Sequence, residues 1–356
     1  MNDLKLIVLD NIKELGLEVD EYLKKVNGTR NTYIMDVTVN RFNNGEGKVR
    51  IEETIRDKDV FILADVGNYG VTYNMHGHDV IKGPDEHFQD IKRCVSALSG
   101  YPSRITVVMP LLYQSRQDKR SGRESLDCAM ALQELEALNV KHIITFDVHD
   151  KGVANAIPNI PFENIYPTST ILEDMLQKEN FTNVITIAPD AGALERARYY
   201  ADMLKCNAGV FNKRRDLTKI VNGKNPIIEH QYLGPDVNGK TSVVVDDMIA
   251  SGSSIIEVGQ MLREKGCDKI FFITTFALFT AGIEVFDEAY SNKYFDKLYT
   301  TNLSYIPNEF KNKKWLEVVN CSKYVAEIIN GIHDSKSIGK IVNNNEKVLT
   351  LFKNKR

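Results

Sequence analysis

The sequence predicts an α/β protein of two domains, each a mostly parallel sheet flanked by helices. Short apolar runs of strand length alternate with stretches of helical period along most of the chain. The cycle restarts after a join near Pro161–Pro167, with no sequence-level repeat between the halves. At 356 residues the chain is long enough for two cores. Strands alternating with helices at this spacing imply parallel sheets covered on both faces. The expected domains are residues 1–163 and 164–356.

Taken in order, Leu4–Leu9 is an apolar run, followed by a helical pattern near Leu15–Lys25. Tyr33–Val39 alternates like a strand, and Asp59–Val66 is a cleaner one. Asn68–Pro84 is rich in Gly, Asn and His and reads as a loop. Asp85–Leu98 has helical period, Arg104–Leu112 reads as a buried strand and Ser125–Leu138 as a helix. His142–Val148 is a strand ending in Asp147-Val148-His149-Asp150, and Ile157–Pro161 breaks the pattern. In the second half, Ser169–Gln177 is helical. Val184–Ala188 is a strand that ends in Pro189-Asp190-Ala191-Gly192, and the helix Leu194–Leu204 follows. Gly209–Asn212 is a short strand leading into Lys213-Arg214-Arg215, and Lys219–Lys240 is polar with turns. Ile270–Ala277, Leu298–Asn302 and Leu316–Val319 are further strands, and Ser322–Ile332 is a helix.

The stretch from Val243 to Ser254 organises the rest. Val243-Val244-Val245 make a short buried strand that Asp246 and Asp247 close. Ala250-Ser251-Gly252-Ser253-Ser254 then lead into an amphipathic helix from Ile255 to Lys265. A small-residue loop at a helix N-terminus offers N–H groups and hydroxyls to an anion. Carboxylates beyond a strand's carboxyl end sit where open α/β sheets bind ligands, and suit sugar hydroxyls or a divalent cation. An ordinary strand-to-helix turn is the alternative reading.

Composition narrows the classes. The net charge is −3 and no basic block suggests nucleic acid. The five cysteines are scattered without metal-site or redox spacing, which points to a reducing compartment and a cytoplasmic protein. No leader-like apolar segment opens the chain, and no stretch is long enough to span a membrane.

The Val243–Ser254 stretch resembles the phosphoribosyl diphosphate-binding loop of type I phosphoribosyltransferases. Arg41-Phe42-Asn43-Asn44-Gly45-Glu46, Ser115-Arg116-Gln117-Asp118-Lys119-Arg120, Asp147-Val148-His149 and Lys213-Arg214-Arg215 narrow the resemblance to the ribose-phosphate diphosphokinase (phosphoribosyl diphosphate synthetase) family. That resemblance implies two phosphoribosyltransferase-like domains. It implies diphosphoryl transfer from ATP to ribose 5-phosphate, giving AMP and phosphoribosyl diphosphate, with Mg2+ as cofactor. Asp246 and Asp247 would then hold the ribose hydroxyls, and Ser251, Gly252, Ser253 and Ser254 the 5-phosphate. Arg116, Gln117 and Asp118 would bind ATP. Phe42, Asn44 and Glu46 would reach the adenine of a neighbouring subunit in a homodimer or hexamer. His149 and Asp190 would be Mg2+ ligands, with His149 also counted among the catalytic residues. Lys213 and Arg215 would bracket the transferring group from a mobile loop.

Four departures from the family pattern stand out. Asn44 and Ala250 replace aspartates, Ser121–Glu124 is one residue short, and Asn68–Asp85 is longer and holds His76-Gly77-His78. Two histidines alone do not make a metal site. The competing functions are a phosphoribosyltransferase and a non-catalytic regulatory homologue.

Overall fold

The computed structural model describes residues 3–98, 100–181, 183–215, 227–343 and 345–353, with backbone alone at 213–215, 227–230, 345, 346 and 353. The chain forms two units, each with its own sheet. One is Met1–Pro167 with Asn302–Pro307 and Asn320–Asn343, and the other is Thr168–Thr301 with Asn308–Val319 and Asn344–Arg356.

In the first unit the elements are β1 (Leu4–Val8), α1 (Lys13–Asn27), β2 (Val37–Arg41), β3 (Gly47–Ile51), β4 (Asp59–Leu63), β5 (Thr72–Met75) and β6 (His78–Ile81). They continue with α2 (Pro84–Leu98), β7 (Arg104–Val108), α3 (Asp127–Ala137), β8 (His142–Phe146) and β9 (Phe162–Ile165). The sheet is wholly parallel, in the order β1-β4-β7-β8-β9. Strands such as Asp-Val-Phe-Ile-Leu in β4 are buried throughout, as parallel strands covered on both faces must be. Pro84 opens α2, where its missing N–H costs nothing, and Asp85 and Glu86 face the helix's positive end. β2–β3 and β5–β6 are separate two-stranded hairpins.

The second unit holds α4 (Thr168–Lys178), β10 (Val184–Ala188), α5 (Leu194–Leu204), β11 (Asn207–Arg215), β12 (Ile227–Leu233), β13 (Thr241–Ile249) and α6 (Ser253–Glu264). It continues with β14 (Lys269–Ala277), α7 (Glu284–Ser291), β15 (Lys297–Thr301), α8 (Asn308–Lys311) and β16 (Leu316–Val319). Its sheet runs β12-β11-β10-β13-β14-β15-β16, parallel except for β12. The chain then crosses back. α9 (Ser322–His333) packs along α1, where Glu18 accepts from Asn320 at 2.7 Å, and α10 (Gly339–Val342) follows. Finally α11 (Asn345–Lys353) buries Val348 and Phe352 among Ile171, Leu172, Tyr200 and Met203 of the second core.

The structure departs from the expectation in several places. β9 extends the first sheet, so the first unit runs to Pro167 and takes back α9. Asn68–Pro84 is not a plain loop. It folds as β5–β6 about His76-Gly77, both at positive φ (50° and 83°), the geometry of a tight two-residue hairpin turn. Asp246 and Asp247 lie inside β13, which β14 pairs as far as Ile249.

Two buried groups of the first unit set opposing pH dependences. Burial pushes Asp65 up to about 6, although its oxygens accept from the N–H groups of Tyr305 and Gly67 and from the Ser304 hydroxyl. Its pKa is near 3.8 when unfolded, so between pH 3.8 and 6 the native state holds the extra proton and this contribution to stability falls as pH rises. Burial lowers His142 to about 4 from 6.5, so over that window the unfolded chain holds the proton and stability rises with pH. Denaturant unfolding across pH 4 to 6 should therefore show a steeper rise with pH for Asp65→Asn than for the wild type, and a shallower one for His142→Gln.

Candidate active site

Strand order gathers the chemistry of the second unit at one sheet edge. β10 stops at Ala188, while its parallel neighbours β11 and β13 run on to Arg215 and Ile249. The backbone beyond Val210 and beyond Val245 thus projects past the end of β10, where Asp190 begins the turn into α5.

On β13, Asp247 is buried and Asp246 is half-buried. Their carboxylates are tied to the strand. Asp246 accepts from the Asp247 N–H at 3.0 Å, and Asp247 from the Met248 N–H at 2.8 Å. Burial raises Asp246 well above the usual carboxylate range, and the charge of Asp247 raises it further, while Arg196 opposes. The α6 N-terminus follows at once, without a side-chain cap. Ser251, Ser253 and Ser254 are exposed there, with the Ser251 and Ser253 hydroxyls 3.2 Å apart. A helix start with exposed hydroxyls is suited to an anion.

Gly252 makes this loop possible. Its φ is +83°, and a Cβ there would lie 2.2 Å from Cζ of Phe286. Phe286 cannot retreat, because it is fully buried and stacked on Trp315 with 5.6 Å between ring centroids. Gly252→Ala is expected to destabilise by more than the roughly 1–2 kcal/mol of a left-handed non-glycine residue, since the clash adds to it. Thermal unfolding measures that loss.

Asp190 is exposed, and its Oδ1 accepts from the Ala193 N–H at 3.2 Å, shaping the start of α5. Its charge also bears on Asp246. Among the described residues, no group of three or more His, Cys, Asp or Glu side chains makes a complete metal site. The exposed oxygen donors of Asp190 nonetheless suit Mg2+, which takes few protein ligands and completes its shell with phosphate oxygens and water. Lys213-Arg214-Arg215 continue β11 rather than leaving it, paired with His230, Glu229 and Ile227 of β12. Their side chains, and residues 216–226 of the mobile loop expected to begin here, lie outside the described residues.

In the first unit, Phe42–Glu46 form the turn between β2 and β3. Phe42 is 53% exposed, a large ring with no core to fill. The Asn44 side chain accepts from the Glu46 N–H at 3.2 Å and donates to the Glu46 carboxylate at 3.0 Å. Arg41 is buried in a salt bridge with Asp90 and serves the turn from beneath.

The segment after β7 meets the turn after β8. Lys119 pairs with Asp150 at 2.5 Å, and this contact, with the Gly152 N–H that donates to the same carboxylate, holds Asp150 below its usual range. Arg116 and His149 are exposed. Gln117 donates to the Ser125 carbonyl at 3.0 Å, so its amide N–H is engaged within its own loop. Asp118 Oδ2 is buried with no hydrogen-bond partner, which marks where a donor is wanted.

Sequence reasoning missed Arg196. It sits in the first turn of α5, shortly after Asp190, and its charge opposes the rise of Asp246. It also missed the approach of β5–β6 to the β2–β3 turn.

Residues 4–138 match the family model described as the N-terminal domain of ribose phosphate pyrophosphokinase, and residues 163–296 match the phosphoribosyl transferase domain. The ribose-phosphate pyrophosphokinase of Burkholderia pseudomallei is 30% identical over 247 residues, covering 68% of this chain and 70% of that protein. That of Haemophilus ducreyi is 26% identical over 342 residues, covering 95% and 98%. The solved phosphoribosylpyrophosphate synthetase of Mycobacterium smegmatis superposes with a TM-score of 0.78 at 21% identity, covering 94% of this chain and all of that one. That likeness speaks for the fold.

Proposed function

The chain belongs to the ribose-phosphate pyrophosphokinase family of transferases, and from that premise we propose its reaction and the residues that carry it. The 1-hydroxyl of ribose 5-phosphate attacks the β-phosphorus of MgATP. A new O–P bond forms at C1, the bond between the β-phosphorus and the α,β-bridging oxygen breaks, and AMP leaves with that oxygen. The hydroxyl proton passes to solvent. The single observation that carries this reading is the β13–α6 junction, which sets two carboxylates beside a glycine-bent helix start.

Asp246 and Asp247 orient the sugar hydroxyls, and Ser251–Ser254 hold the 5-phosphate. Lys213 and Arg215 neutralise the charge that spreads over the moving diphosphoryl group, where positioning and electrostatics do most of the work. Phe42, Asn44 and Glu46 receive the adenine, and Arg116, Gln117 and Asp118 the rest of the nucleotide. Asp190 is a ligand for Mg2+, and His149 binds the Mg-nucleotide. The ion supplies charge neutralisation of the phosphates when bound.

An exposed Phe42 at a hairpin tip supports a site completed by a neighbouring copy, in a homodimer or hexamer. Five free thiols support a reducing, cytoplasmic location. No helix among the described residues is long and apolar enough to cross a membrane. The test is direct. Purified protein with MgATP and ribose 5-phosphate should yield AMP and phosphoribosyl diphosphate in equal amounts. Binding of MgATP without AMP would favour a regulatory homologue.

A further inference from the structure

The β5–β6 hairpin has no place in the main sheet, and a lone two-stranded hairpin is marginal in water. Its tip rests on the β2–β3 turn. The His76 N–H donates to the Asn43 carbonyl at 2.8 Å. A Cβ on Gly45, whose φ is +90°, would lie 2.8 Å from the Met75 sulfur, so the thioether packs directly over that glycine. The Arg41 guanidinium lies 5.3 Å above the Tyr73 ring.

Both hairpins are also fastened at the base to the same groups. Tyr73 donates to Glu86 at 2.9 Å. Lys82, 3% exposed, bridges Asp10 at 2.9 Å and Asp90 at 3.3 Å. Asp90 in turn holds Arg41 at 2.9 Å, at the end of β2. The arrangement runs from the core, up β5–β6, and onto the turn that carries Phe42.

We propose that β5–β6 is a brace that pre-orders the β2–β3 turn for nucleotide binding, with Tyr73, Met75 and His76 as positioning residues. The proposal rests on the reading that Phe42, Asn44 and Glu46 meet the nucleotide. A turn held in one conformation has less ordering entropy to lose when a base stacks on Phe42, so the brace acts on nucleotide affinity. The effect is on the ordering of the nucleotide turn, so kcat and the sugar KM are expected to stay near wild type.

The test is made on the full chain, with Tyr73→Ala, Met75→Ala, the conservative Met75→Leu, and Thr72→Ala as an exposed control on the same hairpin. Amide hydrogen exchange is read at Phe42 and Gly45, whose N–H groups bond within the turn. Tyr73→Ala and Met75→Ala should each exchange about tenfold faster there and raise the ATP KM by about tenfold, with kcat and ribose 5-phosphate KM within about twofold of wild type. Met75→Leu should restore most of the loss, and Thr72→Ala should change neither readout. Where an alanine variant fails to fold, Tyr73→Phe, which keeps the ring and removes the hydroxyl's bonds to Glu86 and to the Met75 sulfur, should shift exchange in the same direction. Unchanged exchange in the brace variants would overturn the proposal. So would faster exchange with an unchanged ATP KM, if Phe42→Ala raises that KM. If Phe42→Ala itself leaves the ATP KM unchanged, the nucleotide reading of the turn fails and takes the brace's function with it. The exchange data would then still show whether the contact orders the turn.

Discussion

Lys213→Ala and Arg215→Ala are each expected to lower kcat by about 10²–10³, with substrate KM values changed far less. Both residues continue β11 beyond the end of β10, where β12 pairs them through the backbone. Alanine keeps those backbone bonds, so the fold should survive the substitution. The cationic groups gain most when charge spreads over the transferring group, and their loss therefore appears in kcat. The double variant should lose less than the product of the single losses, because both cations act on one group. Arg214→Ala, between them, should lose less than either. Steady-state kinetics on the four variants checks this, and a Lys213→Ala enzyme with wild-type kcat would contradict the mechanism.

The second large effect is on the sugar. Asp247→Ala is expected to raise the ribose 5-phosphate KM by several tens-fold or more, in line with about 1–3 kcal/mol for each buried polar partner left unmatched. Asp247 is also buried and accepts from the Met248 N–H, so Asp247→Asn, which keeps that acceptor and its volume, separates charge from packing. The pair makes a further pH prediction. Burial and Asp247 together raise Asp246, so sugar binding that needs its carboxylate improves as pH rises through that raised value. In Asp247→Asn the neighbouring charge is gone while burial and the Asp190 charge remain, and the limb should move to lower pH. The ribose 5-phosphate KM measured against pH for both proteins reads the shift. An unmoved limb, with unchanged KM in Asp246→Ala and Asp247→Ala, would remove this strand from the site.

What could be read from sequence followed the strength of the local pattern. Val184–Ala188 and Leu194–Leu204 were legible to the residue, because an unbroken apolar run is followed by clean helical spacing. The Asp246–Ser254 junction was legible because acidic, small and Gly residues break the pattern between a β-branched run and a helix. β13 itself runs further than expected, since pairing with β14 carries two charged residues within a strand, which local propensity would not choose. β5–β6 was hidden because its strands are only four residues long and lie among His, Asn, Gly and Asp. Its half-buried positions, Tyr73 and Met75, are filled by a tertiary contact with Gly45 and Arg41 rather than by alternation. The return of α9 to the first unit was likewise invisible, since it depends on α1 lying elsewhere in the chain. Arg196 and the unpartnered Asp118 oxygen needed three-dimensional neighbours to acquire meaning.

The most direct measurement follows the β-phosphorus. ATP labelled at that position is incubated with the protein, Mg2+ and ribose 5-phosphate, and the products are separated. The expected result is label in phosphoribosyl diphosphate, appearing in step with unlabelled AMP. Label in ADP, or no release of AMP when both substrates are bound, would contradict diphosphoryl transfer by this chain.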